Sequence, residues 1–259
     1  FPLFVSRSSV ISTGSEHRQA AASDDAIQAG NAQAIADRIA NSIALGLLAV
    51  GERLPPEIEL AQQFGVAVAT LRKGLAVLRE RGIVVTHRGR SGGSFVVKAP
   101  FPTRSESEDQ LHSISVVELR DLRDELIAVG AATAGLAAQR AWEGSLGRLE
   151  NLLPAVASAA NAADAASADS RFHIEVAVLA QSRRLLSAEL RLQSESTPIL
   201  WAQQSYAQRG ADVEHQHREV LAAIASGNRE RAANAMAAHI SDDVQRVINL
   251  KLSLEAPGT

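Results

Sequence analysis

Residues 51–97 read GERLPPEIELAQQFGVAVATLRKGLAVLRERGIVVTHRGRSGGSFVV, and this stretch decides the fold. Gly46 and Gly51 bound a turn, Pro56 suits the first turn of a helix, and the short helix that follows runs out near Gly65. In VAVATLRKGLAVLRERG, Leu71, Leu75 and Leu78 recur at helical spacing and mark an inner face, with Gly82 as the stop. IVVTHRGRSGGSFVV then places β-branched runs on either side of a basic, glycine-rich turn, the pattern of a hairpin. Upstream, Ile35, Ile39 and Ile43 form one apolar stripe every four residues, which predicts a further helix before the quoted stretch. Three helices followed by a hairpin make a winged helix-turn-helix, in which the third helix enters a DNA major groove and the hairpin lies along the backbone or minor groove.

GERLPPEIELAQQFGV, LRKGLAVLRERGIV and GRSGGSFVV together resemble the DNA-binding domain of GntR-type bacterial regulators, over residues 31–98. The resemblance implies a DNA-facing set of Arg53, Thr70, Arg72, Lys73, Arg88, Arg90 and Gly92, with Gly89, Gly92 and Gly93 permitting close backbone approach in the wing. Two positions depart from the family pattern. Ile58 stands where an arginine often follows the glutamate of the second helix, and Ala67-Val68 replaces the usual Ser-Arg at the start of the recognition helix. Arginine or lysine on a guanine edge is the commonest direct readout, so each lost arginine removes a contact worth about 1–3 kcal/mol where it would have read a base.

Composition agrees with a helical, two-part chain. At 259 residues it is long enough for two domains, and with six Phe, two Trp and one Tyr it is poor in the aromatics that favour strands. The absence of cysteine excludes disulfide scaffolds and thiolate metal sites and fits a cytoplasmic protein. No apolar run approaches the roughly 20 residues of a membrane span. The opening FPLFVSRSSV lacks the layout of a signal peptide, and residues 1–30 read as a flexible tail. The net charge of −3 hides an asymmetry: residues 31–98 hold nine Lys/Arg against five Asp/Glu, leaving −7 on the remainder. A basic module joined to an acidic one fits a nucleic-acid surface on the first.

Residues 99–113, APFPTRSESEDQLHS, read as a linker, and 114–251 as an all-α antiparallel bundle of six or seven helices, with 252–259 a C-terminal tail. Helices are expected over SVVELRDLRDELIAVGAATAGLAAQRA, over about 145–162, 166–181 and 183–207, and on either side of a break at Ser226-Gly227-Asn228. The third of these, SADSRFHIEVAVLA (residues 167–180), sets Asp169 and His173 one turn apart in an apolar helix. Taken alone, such a pair is ordinarily a surface contact with no further role. A buried carboxylate, however, needs a partner or a metal. His217, followed by Val220, Leu221 and Ile224, lies near an inward stripe, whereas His215 two residues earlier must face elsewhere; His239 sits on the last helix. If His217 and His239 meet the first pair, three imidazoles and one carboxylate make a site for Zn²⁺, Ni²⁺ or Mn²⁺ with room for water or a ligand.

RDLRDELIAVGAATAGLAA, DSRFH and HREVLAAIASGNRERAANAMAAH extend the resemblance to the FCD ligand-binding domain of the FadR-like GntR subfamily. That resemblance implies divalent-metal ligation by Asp169, His173, His217 and His239, a homodimer on a palindromic double-stranded operator, and a small organic-acid effector. Two departures stand out: Ile127 replaces the family's glutamate, and Arg183-Arg184 replaces its Asn-Pro. Arg123 and Arg183 are therefore the candidate partners for an anionic effector. A metallohydrolase would need a general base beside the ion; Glu175, two residues from His173, faces elsewhere, and the basic module would have no role in such an enzyme. The expectation is a transcription regulator, with a purely structural metal or weakened DNA recognition as the alternatives.

Overall fold

The computed structural model describes residues 19–89, 92–202 and 206–255. It divides into two compact units, the first ending at Pro100 and the second beginning at Phe101, with the turn Ala44–Gly46 assigned to the second.

The first unit contains α1 (Gln19–Ala44), α2 (Glu57–Phe64), α3 (Val68–Glu80), β1 (Val84–His87) and β2 (Gly93–Val96). Helix α1 begins well inside the stretch read as a tail, because Ala-rich sequence around 20–30 propagates the helix that the isoleucine stripe anchors. Residues 1–18 lie outside the described residues. Ile35, Ile39 and Ile43 of α1 close on Leu60 of α2, Leu71, Leu75 and Leu78 of α3, and Val84 and Val96 of the hairpin. The approach of α1 to α3 runs over Gly74, where a Cβ would stand 3.0 Å from the Ala32 carbonyl oxygen.

Helix α2 carries Glu57 and Glu59 in its first turn, favourable at the positive end of the helix dipole, and stops at the left-handed Gly65. Helix α3 starts behind Ala67, which offers no side-chain cap. Replacing a hydroxyl or carboxylate cap by alanine costs about 0.5–2 kcal/mol, so the departure noted at this position weakens the helix start. In the hairpin Val84 pairs with Val96, Val85 with Phe95, Thr86 with Ser94 and His87 with Gly93. Residues 51–54 lie along the free edge of β2, with the Leu54 N–H donating to the Ser94 carbonyl at 2.8 Å and the Gly51 N–H to that of Val96 at 2.8 Å.

The second unit contains α4 (Arg104–Ser113), α5 (Val116–Arg140), α6 (Gly147–Ala157), α7 (Ala162–Leu179), α8 (Arg183–Leu200), α9 (Tyr206–Ala225) and α10 (Arg229–Glu255), with a 3₁₀ turn at Glu143–Ser145. Two features differ from the sequence expectation. Most of the stretch read as a linker is helix α4, started by a capping box in which the Thr103 hydroxyl accepts from the Glu106 N–H and the Glu106 carboxylate accepts from the Thr103 N–H. Leu111 ties α4 to the bundle core. The helix expected to reach residue 207 ends at Leu200, where the chain turns and Trp201 drops into the interior. Helix α9 starts at Tyr206 and carries His217 near its middle. Pairing of α5 with α10 is close enough that a Cβ at Gly130 would meet Ile240 Cδ1 at 2.5 Å. The architecture is a winged helix-turn-helix followed by a helical bundle. Among the described residues no helix is long and apolar enough to cross a membrane.

Candidate metal centre and nucleic-acid interface

In the first unit, burial of Leu71, Leu75 and Leu78 turns Arg72 and Lys73 to the outer face of α3. Thr70 is half-buried beside them. Arg72 Nε donates to Glu57 Oε2 at 2.7 Å, and both side chains are exposed. A pair this accessible contributes little stability, so Arg72 is held in place yet released at small cost. Arg88 is exposed at the end of β1. Arg53 runs across the wing at Gly93, whose missing side chain makes room for it: a Cβ there would lie 2.5 Å from Arg53 Nε. Gly92 donates its N–H to the Gly89 carbonyl at 2.9 Å and closes the wing turn. Arg90 lies outside the described residues. Ile58, at the position of a lost arginine, is 64% exposed.

In the second unit, α7, α9 and α10 bring Asp169, His173, His217 and His239 together in the interior, with one possible ligand atom from each lying within 4.8 Å of all the others. His173 Nε2 and His239 Nε2 are 3.0 Å apart, and His217 Nε2 is 3.2 Å from Asp169 Oδ1. All four residues are buried, yet among the described residues Asp169 Oδ1 and His217 Nε2 have no aligned hydrogen-bond partner. Orphaned polar atoms are costly in an apolar interior, and here they face one another across a donor set of nitrogen and carboxylate oxygen suited to Zn²⁺, Ni²⁺ or Mn²⁺. The residues fit a divalent ion.

Each donor has a neighbour behind it, although His173 Nδ1 makes no aligned hydrogen bond among the described residues. The Trp201 indole N–H donates to Asp169 Oδ2 at 2.8 Å, leaving Oδ1 directed at the imidazoles. Gln216 Oε1 is 2.8 Å from His239 Nδ1, and the Glu189 carboxylate stands 3.7 Å from His173 Nδ1. Phe172 stacks on the His217 ring, with centroids 3.8 Å apart. Such outer partners set tautomer and ring orientation in metal sites. Beyond Glu189 a polar row continues along α8: Gln193 Nε2 donates to Glu189 at 2.9 Å, the Thr197 hydroxyl donates to Gln193 at 3.1 Å, and Ser170 lies 2.8 Å from Thr197.

Burial raises the cost of charge throughout the cluster. It pushes the His217 and His239 imidazoles below their ordinary value, so they are neutral near pH 7, the form that ligates a metal. Burial pushes Asp169 upward, but the contact with His217, and the charge the neighbouring imidazoles acquire in acid, outweigh it and hold the carboxyl below the usual range. Glu189 and Asp243 are raised by the same loss of water.

The four residues named from the sequence come together, but the sequence reading missed their surroundings. His215 is exposed beside Glu219, as its spacing from His217 required. Glu175 pairs with Arg148 at 3.5 Å, away from the cluster. Of the two arginines expected at an effector, Arg123 is half-buried and donates to Asp124 at 2.8 Å, and Arg183 is exposed at the first residue of α8. Both follow from helix phase, since the buried neighbours Leu122 and Leu126 leave Arg123 at the flank of α5 and Arg183 opens α8 in an exposed position. The guanidinium that does lie inside is Arg209, with Nη2 3.2 Å from Asp243 Oδ2 and its carbon 4.0 Å above the Trp201 ring. Asp243 Oδ2 is in turn 3.8 Å from His239 Nε2. A signal existed, because Asp243 follows His239 at the same four-residue spacing that joins Asp169 to His173.

Comparison with known proteins agrees with both halves. The family model described as bacterial regulatory proteins, gntR family, matches residues 31–96, and that of the FCD domain matches residues 121–242. The chain is 48% identical over 227 residues to the HTH-type transcriptional regulator RmpR of Mycobacterium gastri, covering 86% of this chain and 82% of that protein. It is 30% identical over 231 residues to the L-lactate dehydrogenase operon regulatory protein of Escherichia coli K12, covering 80% and 82% respectively. Among solved structures, E. coli McbR/YncC superposes with a TM-score of 0.52 at 14% identity, over 85% of this chain and 98% of that one, a likeness of fold.

Proposed function

The chain belongs to the GntR family of bacterial regulatory proteins and carries an FCD domain, so it is a DNA-binding transcription regulator and not an enzyme; from that premise we propose that a small carboxylate metabolite, bound at a divalent-metal centre in the helical domain, controls its affinity for DNA. The observation that carries this reading is the buried set of Asp169, His173, His217 and His239, with Asp169 Oδ1 and His217 Nε2 unsatisfied and facing each other. When bound, the ion supplies a Lewis-acidic point of attachment for a carboxylate oxygen. The chain's own residues hold the donors neutral or anionic, orient them and exclude water.

The proposed DNA surface is the outer face of α3 with the wing, using Arg53, Thr70, Arg72, Lys73, Arg88, Arg90 and Gly92. One such module reads a short half-site, so a cytoplasmic homodimer on a palindromic operator is the matching assembly. A relative named for an L-lactate dehydrogenase operon supports a small organic acid as effector. By linkage, an acid that weakens DNA binding must itself bind the DNA complex more weakly.

The test is elemental analysis of the purified chain beside Asp169→Ala and His217→Ala. The expected result is about one divalent ion per chain, lost in both variants. No ion retained after incubation with Zn²⁺, Ni²⁺ or Mn²⁺ overturns the metal-centred reading. The complete burial of the four donors favours one second reading, a purely structural ion; it holds if the ion is present and no organic acid alters DNA binding.

A further inference from the structure

Arg209 is 4% exposed, and among the described residues none of its Nε, Nη1 or Nη2 has an aligned hydrogen-bond partner. A guanidinium carries five N–H donors and cannot shed its charge in a protein, so leaving them unused in the interior is expensive. Asp243 neutralises the charge at 3.2 Å but does not satisfy the donors, and its own Oδ1 is also unpaired. This pair borders the metal centre, since a single oxygen, Asp243 Oδ2, lies 3.2 Å from Arg209 and 3.8 Å from His239 Nε2. Trp201 supports both sides: its ring lies beneath the guanidinium at 4.0 Å, and its N–H holds Asp169.

We infer that Arg209 is the anchor for the effector's carboxylate, a subsite beside the four metal donors in which the planar fork of the guanidinium receives the acid and the Trp201 ring fixes its plane. The inference rests on the proposed reading of the centre as an effector site. A carboxylate matches the two parallel N–H groups of a guanidinium, which an ammonium or amide cannot present. Asp243 acts as the internal stand-in. It balances the charge before the acid arrives and competes with it afterwards, which gives its removal the opposite sign from removal of Arg209.

The experiment is calorimetric titration of the full-length, metal-loaded chain with acetate, L-lactate, oxalate and citrate, with metal content measured on the same samples, for the unmodified protein, Arg209→Lys, Arg209→Met and Asp243→Asn. At least one acid should bind the unmodified protein. Arg209→Lys, which keeps the charge and loses the fork, should weaken that binding by about tenfold, and Arg209→Met by more, with the ion retained. Asp243→Asn should strengthen it. The asparagine variant guards against a misfolded Arg209→Met, because a purely structural ion pair would lose stability in every variant and strengthen acid binding in none. Unchanged acid binding in both Arg209 variants, or no acid bound while the ion is retained, overturns the anchor and leaves the metal centre standing. Loss of the ion from the unmodified protein overturns the metal-centred reading instead, and the anchor is then decided by the signs of the same variants in metal-free protein.

Discussion

Trp201 joins the two chemistries of the helical domain at the scale of one side chain, holding Asp169 with its indole N–H and Arg209 with its ring face. Its role as an orienter can be separated from its role in packing. Trp201→Phe keeps an aromatic ring and deletes the hydrogen bond to Asp169 Oδ2. Outer partners of metal ligands contribute about 10–100-fold in affinity, so competition against a chromophoric chelator should show a loss of that order while circular dichroism stays native. Unchanged metal affinity would show that Asp169 needs no orienting group. Residue-level chemistry was only partly legible in the sequence. Asp169 and His173 declared themselves by i, i+4 spacing within an apolar run. Trp201 and Arg209 did not, because they lie on either side of a helix break that periodicity carried straight through.

Helix α4 shows how an element can be misread from composition. Its sequence is polar, and only Ser107 and Leu111 are buried, so it carries almost no amphipathic signal and reads as a connector. Its ends secure it. The capping box at Thr103 satisfies the first turn, and at the other end Lys251 of α10, itself buried, donates from Nζ to the Leu111 and His112 carbonyls at 3.1 and 3.4 Å. A cation on the last carbonyls of a helix also matches its dipole. Lys251→Met should therefore free α4. Urea denaturation is expected to show a loss of about 1–3 kcal/mol, the cost of leaving buried polar groups unmade. Hydrogen exchange should quicken over 104–113 while metal content is unchanged. If exchange there does not change, the capping box and Leu111 hold the helix alone.

The molecule as a whole has two separate cores, one built on the isoleucine stripe of α1 and the leucines of α3, the other on α5, α7, α9 and α10. Their functions should be separable in the same way. Phosphate contacts each contribute about 0.9 to the slope of log affinity against log salt, so Arg72→Ala and Arg88→Ala are each expected to lower that slope by roughly one. Fluorescence anisotropy with a labelled 30-base-pair duplex over a salt series reads this out, and metal content should not move. Slopes equal to those of the unmodified chain would place the DNA-contacting face elsewhere. The basic balance of residues 31–98 against the acidic remainder already pointed to this division.

By itself the sequence determined the winged helix, and with the family resemblance it singled out the four residues that the structure gathers into one buried cluster. The winged helix is written in local spacing, leucines and isoleucines at helical period and glycines at turns, whereas the cluster shows locally only as an acid four residues before a histidine. Only the tertiary structure decided which arginine faces the centre. Arg123, Arg183 and Arg209 all lie on helices, and local pattern does not say which helix face turns toward a site assembled from α7, α9 and α10. That choice belongs to packing, which turned Arg123 to Asp124, left Arg183 in water and closed the interior over Arg209.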